Sequence, residues 1–245
     1  VLIAVLSGVL IFLVTKKLYL KNNDSENGGF LAGLLATFFL YFGGSFGWVV
    51  SYFRDKSFGG ESMFWSQQAI STLLNPPFAI SLVFILAGLL IFLDFKKFNK
   101  NEIYKFISLG ILWGVLIEFK VYAGLLVLGG LGILVLFKML KKDFSLILLI
   151  IFTSIISGLV FLPNNLGAGS LIVLSPLWLP LTMIQFQDRL GWQRLDLAIQ
   201  SGVLYKVVLG NLIATIIFIL GNFGTRIFGF FLLKESLKYK FLVFI

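Results

Sequence analysis

Residues 106–137 read FISLGILWGVLIEFKVYAGLLVLGGLGILVLF, an apolar run whose only charges are Glu118 and Lys120. As one helix this stretch would be about 48 Å long at 1.5 Å per residue, against a bilayer core of about 30 Å. As two crossings its arms are short, roughly 12 and 17 residues where a span needs roughly 20. Positive charge decides between the two. If the chain reverses at the charges, the segments Lys16–Lys21, Lys96–Lys105, Lys138–Lys142 and Arg226–Lys240 share one side and hold 14 of the 20 lysines and arginines. A single crossing would split the cations about evenly, against the bias of basic loops toward the cytoplasm. Glu118-Phe119-Lys120 is therefore read as a tight hairpin. Residues two apart in a continuous helix point to nearly opposite faces, whereas at a turn they can meet. The short arms put this turn below the outer surface, where irregular backbone must face protein or a water-filled cavity.

Composition agrees with a membrane setting. Of 245 residues 59% are hydrophobic and 13% charged, and mean hydropathy is +1.01; a soluble domain is usually about 25% charged. The runs are apolar on every face, unlike the alternating strands of a membrane barrel. Further apolar spans are read at 1–15, 29–53, 78–95, 144–162 and 205–225. Asn75-Pro76-Pro77 starts a helix, an N-cap followed by prolines that need no amide donor, and Pro163-Asn164-Asn165-Leu166-Gly167 closes one. The expected fold is all-α: a polytopic transmembrane helix bundle of about seven spans, with interfacial helices in two outer loops. Those loops are 54–77 and 163–204, whose Trp65, Trp178 and Trp192 suit the membrane–water boundary. Residues 1–245 read as one polytopic membrane domain with no separate soluble domain. Val1 in place of Met and the apolar ending FLVFI read as an internal piece of a larger protein, and the first run lacks the preceding lysines of a signal peptide.

The +9 charge follows topology and is not a nucleic-acid footprint; the basic inner loops suit contact with anionic lipid. The sequon Asn23-Asp24-Ser25 falls on the inner side and should carry no glycan. No Cys or His is present, which removes disulfides, thiol chemistry, imidazole bases and nitrogen-ligand metal sites. Any metal would be a hard ion, Mg or Mn, held by carboxylates and carbonyls; no metal motif, P-loop or nucleophile–base pairing is present.

Candidate site residues come in three groups, each with two readings. Glu118 and Lys120 are intramembrane charges, which mark functional sites by default, or they are a salt-bridged hairpin whose lysine snorkels outward; Tyr122 is placed to orient Glu118 across the turn. Arg54, Asp55 and Glu61 follow the second span and could receive an anionic headgroup and a sugar hydroxyl, or be solvated charges at a span end. Asp188, Arg189, Arg194 and Asp196 could clamp a phosphate through the guanidinium forks. Alternatively they form the wet face of an interfacial helix with Leu190, Leu197 and Trp192 opposite. Glycine spacings such as Gly29–Gly33 and Gly110–Gly114 permit close helix packing.

ESMFWSQQAISTLLNPPFAISLVFILAGLLIF (61–92) and EFKVYAGLLVLGGLGIL (118–134) resemble the middle of bacterial multi-span proteins of the GT-C glycosyltransferase superfamily. The similarity spans about residues 40–140 and rests on a hydropathy rhythm, the Pro-Pro helix start and the Lys-Val-Tyr hairpin. It implies an enzyme of the cytoplasmic membrane, with basic loops cytoplasmic. Such an enzyme moves a sugar from a polyprenyl-phosphate donor to an acceptor outside the cytoplasm. Lys120, Arg54, Arg189 and Arg194 are then the donor-phosphate candidates, and Glu118, Glu61 and Asp55 the candidate catalytic acids or bases. The family's acidic first outer loop has no counterpart in this chain. A transporter or lipid flippase, and a non-catalytic membrane scaffold, are the competing classes. A transporter would show two related halves with broken helices in matching positions, and the hairpin has no such counterpart.

Overall fold

The computed structural model describes residues 1–21, 23–58, 64, 72–95, 98–166 and 175–227. Among the described residues every regular element is helical and no strand occurs. The α-helices in chain order are α1 (Leu2–Leu20), α2 (Glu26–Phe42), α3 (Gly47–Asp55), α4 (Pro76–Phe92), α5 (Ile103–Gly114), α6 (Leu116–Phe119), α7 (Val121–Leu140), α8 (Ile147–Asn165), α9 (Trp178–Gln185), α10 (Gln193–Gln200) and α11 (Leu204–Phe223). Among the described residues four segments are long and apolar enough to cross a bilayer: Leu2–Leu20, Val121–Met139, Ile147–Asn165 and Leu204–Ile227. Glu26–Phe42 and Gly47–Asp55 make a fifth if taken as one broken span, and Pro76–Phe92 is a shorter apolar helix. The N-cap reading of Asn75 holds, its side chain accepting from the Phe78 amide at 3.3 Å.

The described parts of residues 1–40 and 69–171 form one compact unit, and those of 41–68 and 172–231 a second. In the first unit, direction follows from side-chain pairs. Lys17 near the end of α1 pairs with Asp94 just past α4, so these two helices run parallel. The Ser157 hydroxyl donates to the Gly114 carbonyl at 3.0 Å and the Phe106 and Phe152 rings stack at 5.1 Å, so α5 and α8 run parallel. α7 runs back against α5. The described residues of 16–26, 94–105 and 138–147 are thereby brought to the same end of the unit. Lys17–Asp94 joins the first two segments, and Lys16–Glu26 at 2.8 Å, Lys105–Glu102 at 3.0 Å and Lys138–Asp143 at 2.9 Å each lie within one of the three. Exposed pairs of this kind contribute little energy each, about 0–1 kcal/mol; their effect is to neutralise part of a cation-rich end.

The core of this unit is Leu109, Trp113, Leu116, Val127, Leu131 and Leu149, all fully buried. Between α5 and α8 the glycine spacing read from the sequence lies at the contact. A Cβ on Gly110 would overlap the Phe152 ring, and one on Gly114 would sit 2.5 Å from Ile156 Cγ2 and 3.2 Å from the Thr153 carbonyl. Small residues matter here because helices surrounded by lipid gain their attraction from close packing, not from leaving water.

The disputed stretch reverses direction. α5 ends at Gly114, α6 is a single turn, and Lys120 leaves the helical region with φ −151° and ψ 110° before α7 begins. A Cβ on Gly124 would lie 2.8 Å from the Ile117 Cα. Seven residues along one continuous helix would separate those positions by about 10.5 Å.

In the second unit, the chain beyond α9 folds back on that helix. The Leu190 amide donates to the Met183 carbonyl at 3.1 Å and the Trp192 amide to the Ile184 carbonyl at 2.9 Å. Gly191 turns this corner at φ +56°, a left-handed conformation that favours glycine. Phe64, Met183, Ile184, Leu195 and Ala214 form the core. The apolar face expected for the second outer segment, Leu190 with Leu197 and Trp192, is corrected. α10 starts only at Gln193, so Leu190 and Trp192 precede it; Leu190 packs on the core while Trp192 and Leu197 stay exposed. The packed stripe is Leu195 and Ile199, one helical turn apart.

Candidate functional site

Two polar corners arise, one in each unit. The first is the hairpin. Its third contributor is Asn164, at the end of α8, whose Nδ2 donates to Glu118 Oε1 at 2.9 Å and to the Val160 carbonyl at 3.2 Å. The reason is local. Pro163 sits inside the last turn of α8, and the two asparagines that follow it fold back along their own helix, Asn165 reaching the Phe161 carbonyl at 2.8 Å. Asn164 extends one step further to the carboxylate of α6.

Glu118 and Lys120 do not pair. Glu118 closes the turn of α6 beside α8, whereas the extended backbone at Lys120 sends its side chain out with α7. Lys120 Nζ lies 5.7 Å from the centroid of the Tyr122 ring, within the range of a cation–π contact. The expected role of Tyr122 is therefore corrected: its ring meets Lys120, and the side chain that orients Glu118 is Asn164. Glu118 is exposed, Lys120 partly exposed, and no described residue donates to the second carboxylate oxygen of Glu118.

The second corner joins Arg54 and Asp55 of α3 to the turn before Gly191. Arg54 Nε donates to Asp55 Oδ1 at 3.0 Å and Nη2 to Oδ2 at 3.0 Å, while Nη1 reaches the Arg189 carbonyl at 2.8 Å. Arg189 Nε stands 3.7 Å from Asp188 Oδ2. Sequence reading had Arg54 and Arg189 as phosphate ligands, and the fold does bring them together. The fork of Arg54 is filled by a carboxylate and a carbonyl, however, so it acts as a clamp between α3 and the 187–189 turn. Arg194 lies exposed on α10, away from this clamp. Asp196 accepts from Gln185 at 3.3 Å and from Gln200 at 2.7 Å. Glu61 and Trp65 lie outside the described residues.

Among the described residues no three His, Cys, Asp or Glu side chains are grouped to hold a metal ion. Sequence reading missed Asn164 because Pro163-Asn164-Asn165 was taken only as a helix stop; the signal available was two amides directly after a helix-interior proline. Comparison with family models, with curated proteins and with solved structures gave no match to this chain.

Proposed function

We propose that this chain is a polytopic protein of the cytoplasmic membrane, crossing about seven times, that transfers a sugar from a polyprenyl-phosphate donor in the manner of GT-C glycosyltransferases. One observation carries the reading. Glu118 and Lys120, two residues apart at the end of an apolar bundle, do not neutralise each other, because Glu118 is held by a neutral amide and Lys120 lies over a ring. Unpaired opposite charges at membrane depth are expensive and mark substrate sites. The likeness of 118–134 to the family includes this same corner. The basic end of the first unit is taken as cytoplasmic, with the hairpin at the other end of that unit.

In the reaction, the free oxygen of Glu118 takes the proton of the acceptor hydroxyl as that oxygen bonds to the anomeric carbon. The bond from that carbon to the phosphate oxygen breaks, and the phosphate leaves with the electron pair. The Lys120 ammonium stabilises the charge that develops there, the contribution expected of a fixed cation. The test is transfer in proteoliposomes supplied with a polyprenyl-phosphate sugar. Lys120→Ala should abolish transfer while the protein still inserts; full activity in that variant removes Lys120 from the site and this reading with it.

A further inference from the structure

The second unit carries a surface that neither corner uses. One face of α3, formed by Gly47, Ser51 and Arg54, turns toward the rest of its unit: Gly47 and Ser51 are buried and Arg54 makes the clamp. The other face presents Trp48 and Tyr52. Lys56 then caps α3 in the left-handed conformation, φ +54° and ψ +27°, with its amide on the Tyr52 carbonyl at 3.1 Å. That conformation disfavours any residue with a side chain, and it folds the next residues back over the helix. Phe58 stacks on Tyr52 at 5.1 Å and lies 6.5 Å from Trp48, Phe53 meets Tyr52 edge-on at 5.8 Å, and Lys56 Nζ stands 5.8 Å from the Tyr52 centroid.

These rings lie outside the unit's core. Phe53 is 72% and Phe58 75% exposed, and Trp48 and Tyr52 are also exposed. A contiguous aromatic surface of this kind signals a binding partner. Trp and Tyr have an apolar body and a polar tip, the pairing favoured at the level of lipid headgroups. The Lys56 ammonium beside them matches the phosphates of anionic lipid. We infer that the Trp48–Tyr52–Phe58 cluster with Lys56 is a membrane-interface anchor that seats α3 among the headgroups of a bilayer containing anionic phospholipid. The anchor fixes the depth of α3 at the boundary. This inference is independent of the glycosyltransferase reading and stands if that reading fails.

The chain has no cysteine, so single nitroxide labels can be placed without background. Phe58→Cys and Phe53→Cys are labelled in liposomes of phosphatidylethanolamine and phosphatidylglycerol, with Ile219→Cys in α11 as the hydrocarbon reference and Lys142→Cys as the aqueous one. Phe53→Cys leaves Trp48, Tyr52 and Phe58 in place, so it reports even if the Phe58 change disturbs the stack. The expected result is an oxygen-to-nickel accessibility ratio at both sites between the two references. Lys56→Glu should move the label toward water in these liposomes and leave it unmoved in phosphatidylcholine alone. A hydrocarbon-like ratio would show that α3 crosses, and low access to both reagents would show that protein, such as a second copy of this chain, covers the rings. A ratio equal to the aqueous reference would show free solvent. Each of these three outcomes overturns the proposal.

Discussion

Asn164 and Glu118 are 46 residues apart in the chain, and their side chains meet at 2.9 Å. The bond joins the end of α8 to the single turn of α6 and is made by a neutral amide. It therefore orients Glu118 without cancelling its charge.

Removing that amide should loosen the corner without unfolding the bundle. Asn164→Ala should cost about 1 kcal/mol, the usual net value of one hydrogen bond. Asn164→Asp should cost more at neutral pH, because it sets a second carboxylate against Glu118. Thermal unfolding of the detergent-solubilised protein at neutral and at mildly acidic pH separates the two effects, since only the Asp variant should recover on acidification.

Replacing both hairpin charges distinguishes a working site from a packing device. Glu118→Leu combined with Lys120→Leu should leave thermal stability equal to or above the parent, because apolar substitutes spare the cost of burying charge in lipid. Sugar transfer should nevertheless be lost. Retained activity in the double variant would make the corner a scaffold.

Gly124 is the tightest point of the reversal. The nearest atoms to an added Cβ are the Cα, Cβ and amide nitrogen of Ile117, at 2.8, 2.8 and 2.9 Å, and these cannot swing away as a side-chain tip can. Gly124→Ala should therefore destabilise the protein by about 1–3 kcal/mol, the range for overpacking, and Gly129→Ala, in open space on the same helix, should not. Parallel melts of the two variants check this.

The Arg54 clamp depends on fork geometry. Arg54→Lys keeps the charge but cannot grip Asp55 through two nitrogens while also donating to the Arg189 carbonyl. It should behave nearly as Arg54→Ala does, each losing about 1 kcal/mol for a partly exposed site. Limited proteolysis near 187–191 is the readout: both variants should be cut faster than the parent.

Asp143 provides a pH test at the basic end. Its carboxylate accepts from the Lys138 ammonium at 2.9 Å and from the Ser145 amide at 2.9 Å, and these bonds hold it well below the usual carboxylate range. A lowered acid contributes stability that is complete above its unfolded pKa, about 3.9, and is lost only as pH falls through the lower folded value. The stability difference between the parent and Asp143→Asn should thus be constant from neutrality down to about pH 4 and shrink only below it. A difference that stays flat below pH 4 as well would show the carboxylate to be unshifted.

Much of the architecture was legible along the chain. Helical class and membrane character follow from uninterrupted apolar runs, which carry no period-two alternation. The reversal at Lys120 followed from where the lysines fall, and the start of α4 from Asn75 and the two prolines. The Gly110–Gly114 spacing pointed to the α5–α8 contact. The apolar face of α10 was misread because its starting residue was unknown, and shifting a helix start changes which residues share its buried stripe.

The amino-acid sequence by itself determined that this chain is helical, that it is suited to lipid, and that it turns between Glu118 and Lys120. These properties depend on composition and on spacing along one segment. Which side chains meet was decided only by tertiary structure. Asn164 reaches Glu118 because α5 and α8 run parallel in a register that glycines allow. Arg54 is consumed by Asp55 and a carbonyl 135 residues away. Lys120 finds a ring instead of the carboxylate two positions before it, because its backbone is extended where that of Glu118 is helical. A hydrogen bond depends on direction at a scale of a few tenths of an ångström, and that direction is set by the packing of segments far apart in the chain.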